Sequence, residues 1–316
     1  MKKVSKFFVV LITTSILFGA CQSKTDNTTK STKVESKKEE AKIEMPAKLN
    51  MTEDEIALRD QEKAKEKVLK AQEKMASEAI AAVVETQNAI QSLTEKSKGK
   101  AIKQLQNTLN KIEEATKKFP DLELLPIDIS VKRNVLITDV NSVKQITKDA
   151  EKALKNEHLQ EARELLSGLS SEIDITTINV PLATYPASIK ATIKLINEDK
   201  LDEARFNLMT VLNDLVIVKD MIPIPVLNAE VMIDEASRLY LEDRDVNKEE
   251  VIKLLDNANY QLKLAEVLGY GKKDKMYKEL SNDIKSLKKA TKSNSELKNL
   301  FEEFKTKLKN FKKKVF

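Results

Sequence analysis

The chain has 316 residues, 41% of them hydrophobic and 33% charged, with a net charge of +5; this is length for about two structural units and apolar content for a packed core, so disorder throughout is excluded. Five Gly and seven Pro are too few to punctuate an all-β sandwich or to build a glycine-rich nucleotide loop, which leaves long helices. One His, one Cys and no Trp poorly supply metal sites and His- or Cys-dependent catalysis, so the expectation is no enzyme, no cofactor and no metal.

Residues 1–21 carry Lys2, Lys3 and Lys6, an apolar run from Phe7 to Phe18, and small residues before Cys21, the layout of a secretion signal. The run of about 12 residues falls short of the roughly 20 that span a bilayer. Phe18-Gly19-Ala20-Cys21 resembles the bacterial lipobox, with Phe18 standing where Leu is commoner. The resemblance implies that 1–20 are removed as a lipoprotein signal peptide and that Cys21 is lipidated. A lone cysteine forms no internal disulfide, and two or three acyl chains would hold the body at a membrane face where one is marginal. The expected location is the bacterial cell envelope, periplasmic or surface-facing, with the lipid bilayer as partner through acylated Cys21. Residues 22–50 are rich in Lys, Glu, Thr and Ser with Leu49 as the one leucine, so 21–50 reads as the lipidated cysteine and a disordered charged tether of about 30 Å r.m.s. reach.

Thr52 and Glu55 have capping-box spacing, and the Ala-, Glu- and Lys-rich run that follows predicts one helix to about Lys96. Gly99 breaks it. A second helix is predicted from about Lys100 to Phe119, with Ile102, Leu105, Leu109 and Ile112 on one stripe, giving a long antiparallel hairpin over 51–120. Pro120 and Pro126 bracket an irregular crossing, and the β-branched run from Ile129 to Asp139 predicts a short strand.

The pattern NEHLQEARELL (Asn156 to Leu166) recurs 42 residues later as EDKLDEARFNL (Glu198 to Leu208), with a weaker copy, DVNKEEVIKLL, from Asp245 to Leu255. Each follows a helical stripe and opens another, so the unit is a helical hairpin whose Ala162 or Ala204 lets two helices approach. Spacings of 42 and 47 do not fit the tetratricopeptide period of about 34 residues; the extra residues are the β-branched connectors Glu172 to Pro186 and Leu215 to Val226, expected to pair briefly. The fold class is therefore all-α, mainly helical hairpins with short extended or β connectors.

From Leu125 to about Leu239, the ordered set LPIDI, EARELL, IDITTINVPLATYPASIKATIKLI and EARFNLMTVLNDLVIVKDMIPIPVLNAEVMIDEA resembles the YfdX family of exported bacterial proteins. The resemblance implies a mainly helical envelope protein associated with stress response, and it brings no catalytic residues. A YfdX-like domain is accordingly expected over 121–271, followed by a basic amphipathic tail at 272–316.

Of the net charge of +5, the first 21 residues hold +3 and residues 272–316, with 15 Lys against 6 acids, hold +9, leaving −7 on residues 22–271. Basicity confined to a tail does not make the body a nucleic-acid binder, and no nucleic acid is expected. In that tail Leu297, Leu300, Phe301, Phe304, Leu308 and Phe311 lie at helical spacing among lysines; Lys298, Phe301, Phe304, Lys305, Lys309, Phe311, Lys312 and Lys313 are candidate contacts with a membrane or a partner, unless the stripe packs internally. His158 reads as a solvated turn residue, Arg163 and Arg205 as partners of nearby acids such as Glu161 and Glu203, Tyr185 and Tyr240 as half-buried, and Gly269-Tyr270-Gly271 as a helix stop. The function so implied is a membrane-anchored, non-enzymatic envelope lipoprotein that binds a polypeptide or small ligand in grooves between hairpins, in a stress-protective or chaperone-like role. Its rival is a structural or adhesin-like surface lipoprotein that uses long helices as a spacer.

Overall fold

The computed structural model describes residues 48–271, 275–293 and 297–315; the expected signal, Cys21 and nearly all of the tether lie outside them. Within the described residues the chain repeats one plan three times, a pair of helices followed by a strand. The units are α2 (Ser77–Thr94), α3 (Lys98–Lys118), β1 (Leu124–Asn134); α4 (Val140–Lys155), α5 (Leu159–Ser167), β2 (Glu172–Pro181); and α6 (Tyr185–Asn197), α7 (Leu201–Asn213), β3 (Val216–Pro223). Helix α1 (Glu53–Gln72) precedes them, and α8 (Ile224–Glu242), α9 (Lys248–Val267), α10 (Met276–Lys292) and α11 (Lys298–Val315) follow.

Every pair turns the same way. Lys96, Glu157 and Asp199 sit in the left-handed region at φ 59°, 62° and 63°, and the next amide closes back across the bend: Ser97 N–H to Ser92 O at 2.8 Å, His158 to Ala153 and Lys200 to Leu195 at 2.9 Å. This Schellman arrangement satisfies carbonyls that a helix end leaves without partners. Five residues beyond each bend stands an alanine, Ala101, Ala162 or Ala204, each 0% exposed. The third copy of the repeat is thus Lys96–Ala101, upstream of the other two. The copy expected at Asp245–Leu255 is not one, since α8 and α9 join through Asp243–Asn247 with no left-handed residue.

The connectors pair far beyond a brief contact: β1, β2 and β3 form one antiparallel sheet in that order. The strand expected from Ile129 begins earlier, at Leu124, and ends at Asn134. Because neighbouring strands run in opposite directions, successive helix pairs leave the sheet at alternate ends. The end where Leu124 faces Pro181 carries α3 and α6; the end where Asn134 faces Glu172, and Glu172 faces Pro223, carries α4 and α8. Hence α2 meets α7 and α3 meets α6 in a four-helix bundle, cored by Leu93, Leu105, Ile112, Tyr185, Ile189 and Leu208. At the opposite end α8 to α11 build a second core around Ile233, Leu254, Leu280, Phe301, Phe304 and Phe311, while α4 meets α9 through Val140, Val143, Tyr260 and Leu264.

Two expectations are corrected here. The helix predicted from Thr52 to Lys96 is two helices parted at 73–76, although its start is capped as predicted, with Thr52 N–H on Glu55 Oε2 at 2.7 Å and Glu55 N–H on Thr52 Oγ1 at 3.2 Å. Its halves face different cores: α2 buries Ala79, Ala82, Ala89 and Leu93 in the first bundle, whereas α1 runs along α8 and buries Ile56 and Ala64. One straight helix cannot serve both. Accordingly the hairpin placed at 51–120 is α2 and α3 alone, and the boundary placed after 120 runs through the first core, which unites α2 and α3 with α6 and α7.

Candidate functional site

Helix α8 is apolar on almost every side, yet carries Glu230, Asp234 and Glu235 along the flank where α1 and α11 meet it. Helix α1 supplies Arg59, 2.9 Å from Glu235, and Lys63, 2.9 Å from Asp234 and 3.3 Å from Glu230. From the other side α11 supplies Lys305, 3.5 Å from Asp234, and Lys312, 2.5 Å from Glu230. Burial pulls the Lys63 ammonium down, but Glu230 and Asp234 outweigh it and hold it above the ordinary lysine range. Glu235 is held below the usual carboxylate range by hydrogen bonds from Arg238, at 2.6 Å, and from Arg59, against the opposing push of its burial. Helix α11 of the basic tail therefore lies against the acidic flank of α8.

Asp60 lies beside this ridge, on α1 between Ile56 and Ala64. It is 0% exposed, and neither carboxylate oxygen has a hydrogen-bond partner. Burial drives its carboxyl up to about 7; Arg133 and Lys63 draw it down only in part, and Glu230 pushes it further up. Sequence reasoning passed over this residue, although Ile56, Asp60, Ala64 and Val68 form one row at a spacing of four, in which a lone acid is out of place.

The tail residues fall into two groups. Phe301, Phe304 and Phe311 are 1%, 1% and 0% exposed, with the Phe311 ring edge-on to Tyr277 at 4.8 Å and the Phe301 ring 6.1 Å from Tyr240. They are core residues and cannot insert into a bilayer. Lys305 and Lys312 are half-buried in the ridge, while Lys298, Lys309 and Lys313 are exposed. Apolar side chains at helical spacing pack wherever an apolar face is on offer, and α8, α9 and α10 offer one.

His158 is exposed in its turn, its Nδ1 3.1 Å from Glu161. Arg205 pairs with Asp202 at 3.3 Å, its own helix turn, and Arg163 is exposed. Tyr185 is fully in the core and donates its hydroxyl to Thr86 at 2.8 Å; burial pushes that phenol up to about 12. The Tyr240 hydroxyl accepts from Leu297 N–H at 3.2 Å. Gly269, at φ 88°, ends α9 with Tyr270 N–H on Ala265 O at 3.1 Å. Unforeseen was Tyr270 itself, whose hydroxyl accepts from Ser171 N–H and donates to Glu172, both at 2.8 Å, tying the second core to the sheet. Among the described residues no group of three or more His, Cys, Asp or Glu is placed to hold a metal, and no helix is long and apolar enough to cross a membrane.

Residues 82–221 match the family model described as YfdX protein. The match starts inside α2 and ends inside β3, so it covers most of the three pair-and-strand units and leaves out α1 and α8 to α11. A solved structure of Salmonella Typhi YfdX is similar at 13% identity and a TM-score of 0.33, over 48% of this chain and 93% of that one. No curated protein matches the chain. Residues 82–221, 140 of the 316, are thus similar to the YfdX family.

Proposed function

We propose that the protein is a membrane-anchored bacterial envelope lipoprotein of YfdX type that has no catalytic activity and binds polypeptides or small ligands in a stress-protective, chaperone-like role. The observation that carries the anchoring is the N-terminal sequence: a basic start, a short apolar run and Phe18-Gly19-Ala20-Cys21. Acylated Cys21 then holds the body at a membrane face. The binding half of the reading draws support from apolar side chains left in water. Phe206 (72% exposed) and Met209 share a face of α7, and Ile217 (59% exposed) and Met221 share a face of the edge strand β3; such groups are what a partially unfolded chain would seek. On α11, the exposed Lys298, Lys309 and Lys313 add an electrostatic contact worth about 1 kcal/mol each near an anionic surface.

Fractionation tests the anchor: Cys21→Ser should release the protein from membranes or block its processing, and unchanged membrane association of that variant would sink it. For the binding role, the soluble body should suppress heat-induced aggregation of an unrelated enzyme, and Phe206→Ser with Ile217→Ser should remove most of that protection. Equal protection by parent and double variant, or none by either, counts against it.

A further inference from the structure

We propose that α1 is a pH-gated strap, docked on α8 and β1 while Asp60 keeps its proton and loosened when Asp60 gives it up. The strap is fastened at both ends. Before it, Leu49 and Met51 pack on the second core and the Asn50 amide donates to Glu250 at 2.7 Å; after it, the non-helical link at 73–76 leads into α2 of the first bundle. Between these fastenings the apolar grip is thin. Ile56 touches the second core, and Ala64 with Val68 covers the sheet residues Ile173, Ile175 and Ile222.

Into the middle of this narrow contact the fold places a carboxyl group with no donor for either oxygen. The charged groups that act on it are Lys63 on α1, Arg133 on β1 and Glu230 on α8, with the Arg59–Glu235 and Lys63–Asp234 pairs in the adjoining ridge. Arg59 and Lys63 are both already bound to α8 acids, and neither hydrogen-bonds Asp60. A neutral acid tolerates such a place, whereas an unpaired carboxylate does not. On the undocked helix the group titrates as an ordinary aspartate, near 3.8; docked, it is raised to about 7. The docked state therefore binds the extra proton, and docking weakens as pH rises between those values: about tenfold per pH unit, complete below the lower value and flat above the upper. Loosening would expose the apolar face of the sheet and the acidic flank of α8.

Amide hydrogen exchange of the intact chain, read by mass spectrometry at pH 5, 6, 7 and 8 and corrected for the intrinsic rate, tests it. Protection of 53–72 should fall about tenfold per unit from pH 5 to 7 and level off by pH 8, while α8 and α9 stay protected throughout. Asp60→Asn should hold α1 at its acid-side protection at every pH. Flat protection in the parent, no protection of α1 at any pH, joint loss in α1 and α8, or an unchanged slope in Asp60→Asn would each overturn the proposal. Should Asp60→Asn fail to fold, the parent's own profile still decides, and Asp60→Leu repeats the comparison without a buried polar group.

Discussion

Ala204 shows how much of this fold hangs on one methyl group. At 0% exposure, five residues past its bend, it lies in the core shared by α2, α3, α6 and α7, and Asn207, one turn further on, reaches across to the Ser188 carbonyl at 3.2 Å and the Thr192 hydroxyl at 2.7 Å of α6. A larger residue must force these helices apart. Ala204→Leu should cost roughly 1 to 3 kcal/mol by overpacking, measured as a fall in the denaturant midpoint with the slope unchanged; a midpoint equal to the parent's would mean that the site has room. Asp60 is the opposite kind of residue, placed where its chemistry is disfavoured, and its substitution by Asn or Leu should flatten the pH dependence of α1.

For single elements, the three bends and the last helix make separable predictions. Glu157 is exposed and held in a left-handed conformation that costs a non-glycine residue on the order of 1 kcal/mol or more. Glycine carries no such penalty but loses more chain entropy on folding, so Glu157→Gly should be neutral to stabilising by up to about 1 kcal/mol; a clear fall in melting temperature would mean that the glutamate side chain matters there. Helix α11 is fixed by its aromatic stripe rather than by its lysines, whose ion pairs are partly or fully exposed and individually weak. Phe304→Ala should therefore destabilise by about 3 to 5 kcal/mol, whereas Lys305→Ala should cost under about 1 kcal/mol. Comparable losses from the two substitutions would reverse that ranking.

Among the described residues two helical cores stand at opposite ends of a three-stranded sheet, and two lysines of the basic tail, Lys305 and Lys312, pair with its own acidic helix. Any membrane attraction by the tail would come from its exposed lysines, such as Lys278, Lys285 and Lys289 on α10 and Lys298, Lys309 and Lys313 on α11. Flotation of the chain without residues 1–21 on anionic vesicles should show weak binding that disappears by about 0.5 M salt, where the Debye length falls to a few ångströms. Replacing Phe301 should not weaken that binding selectively, because the ring is in the core. Salt-resistant flotation would contradict this reading.

Much of this architecture is already written in the order of residues. The helix pairs, their alanine-led second members, the capping box at Thr52 and the stop at Gly269 all depend on neighbours a few residues apart, where propensity, capping and periodicity act. The resemblance of Phe18-Gly19-Ala20-Cys21 to a lipobox is likewise local. Partnership is what sequence order alone could not assign. The amphipathic stripe of α11 suits a bilayer and a protein core equally well, and only the apolar surface of α8 to α10 decided between them. The β-branched connectors became a full sheet because strands separated by the helix pairs between them met in register. The first copy of the repeat stayed hidden because Lys96 to Ala101 shares with the others a backbone bend and a buried alanine but little side-chain identity. Asp60 is the extreme case: a residue of ordinary appearance in a charged helix, whose burial without a partner exists only once α1, α8 and β1 close around it.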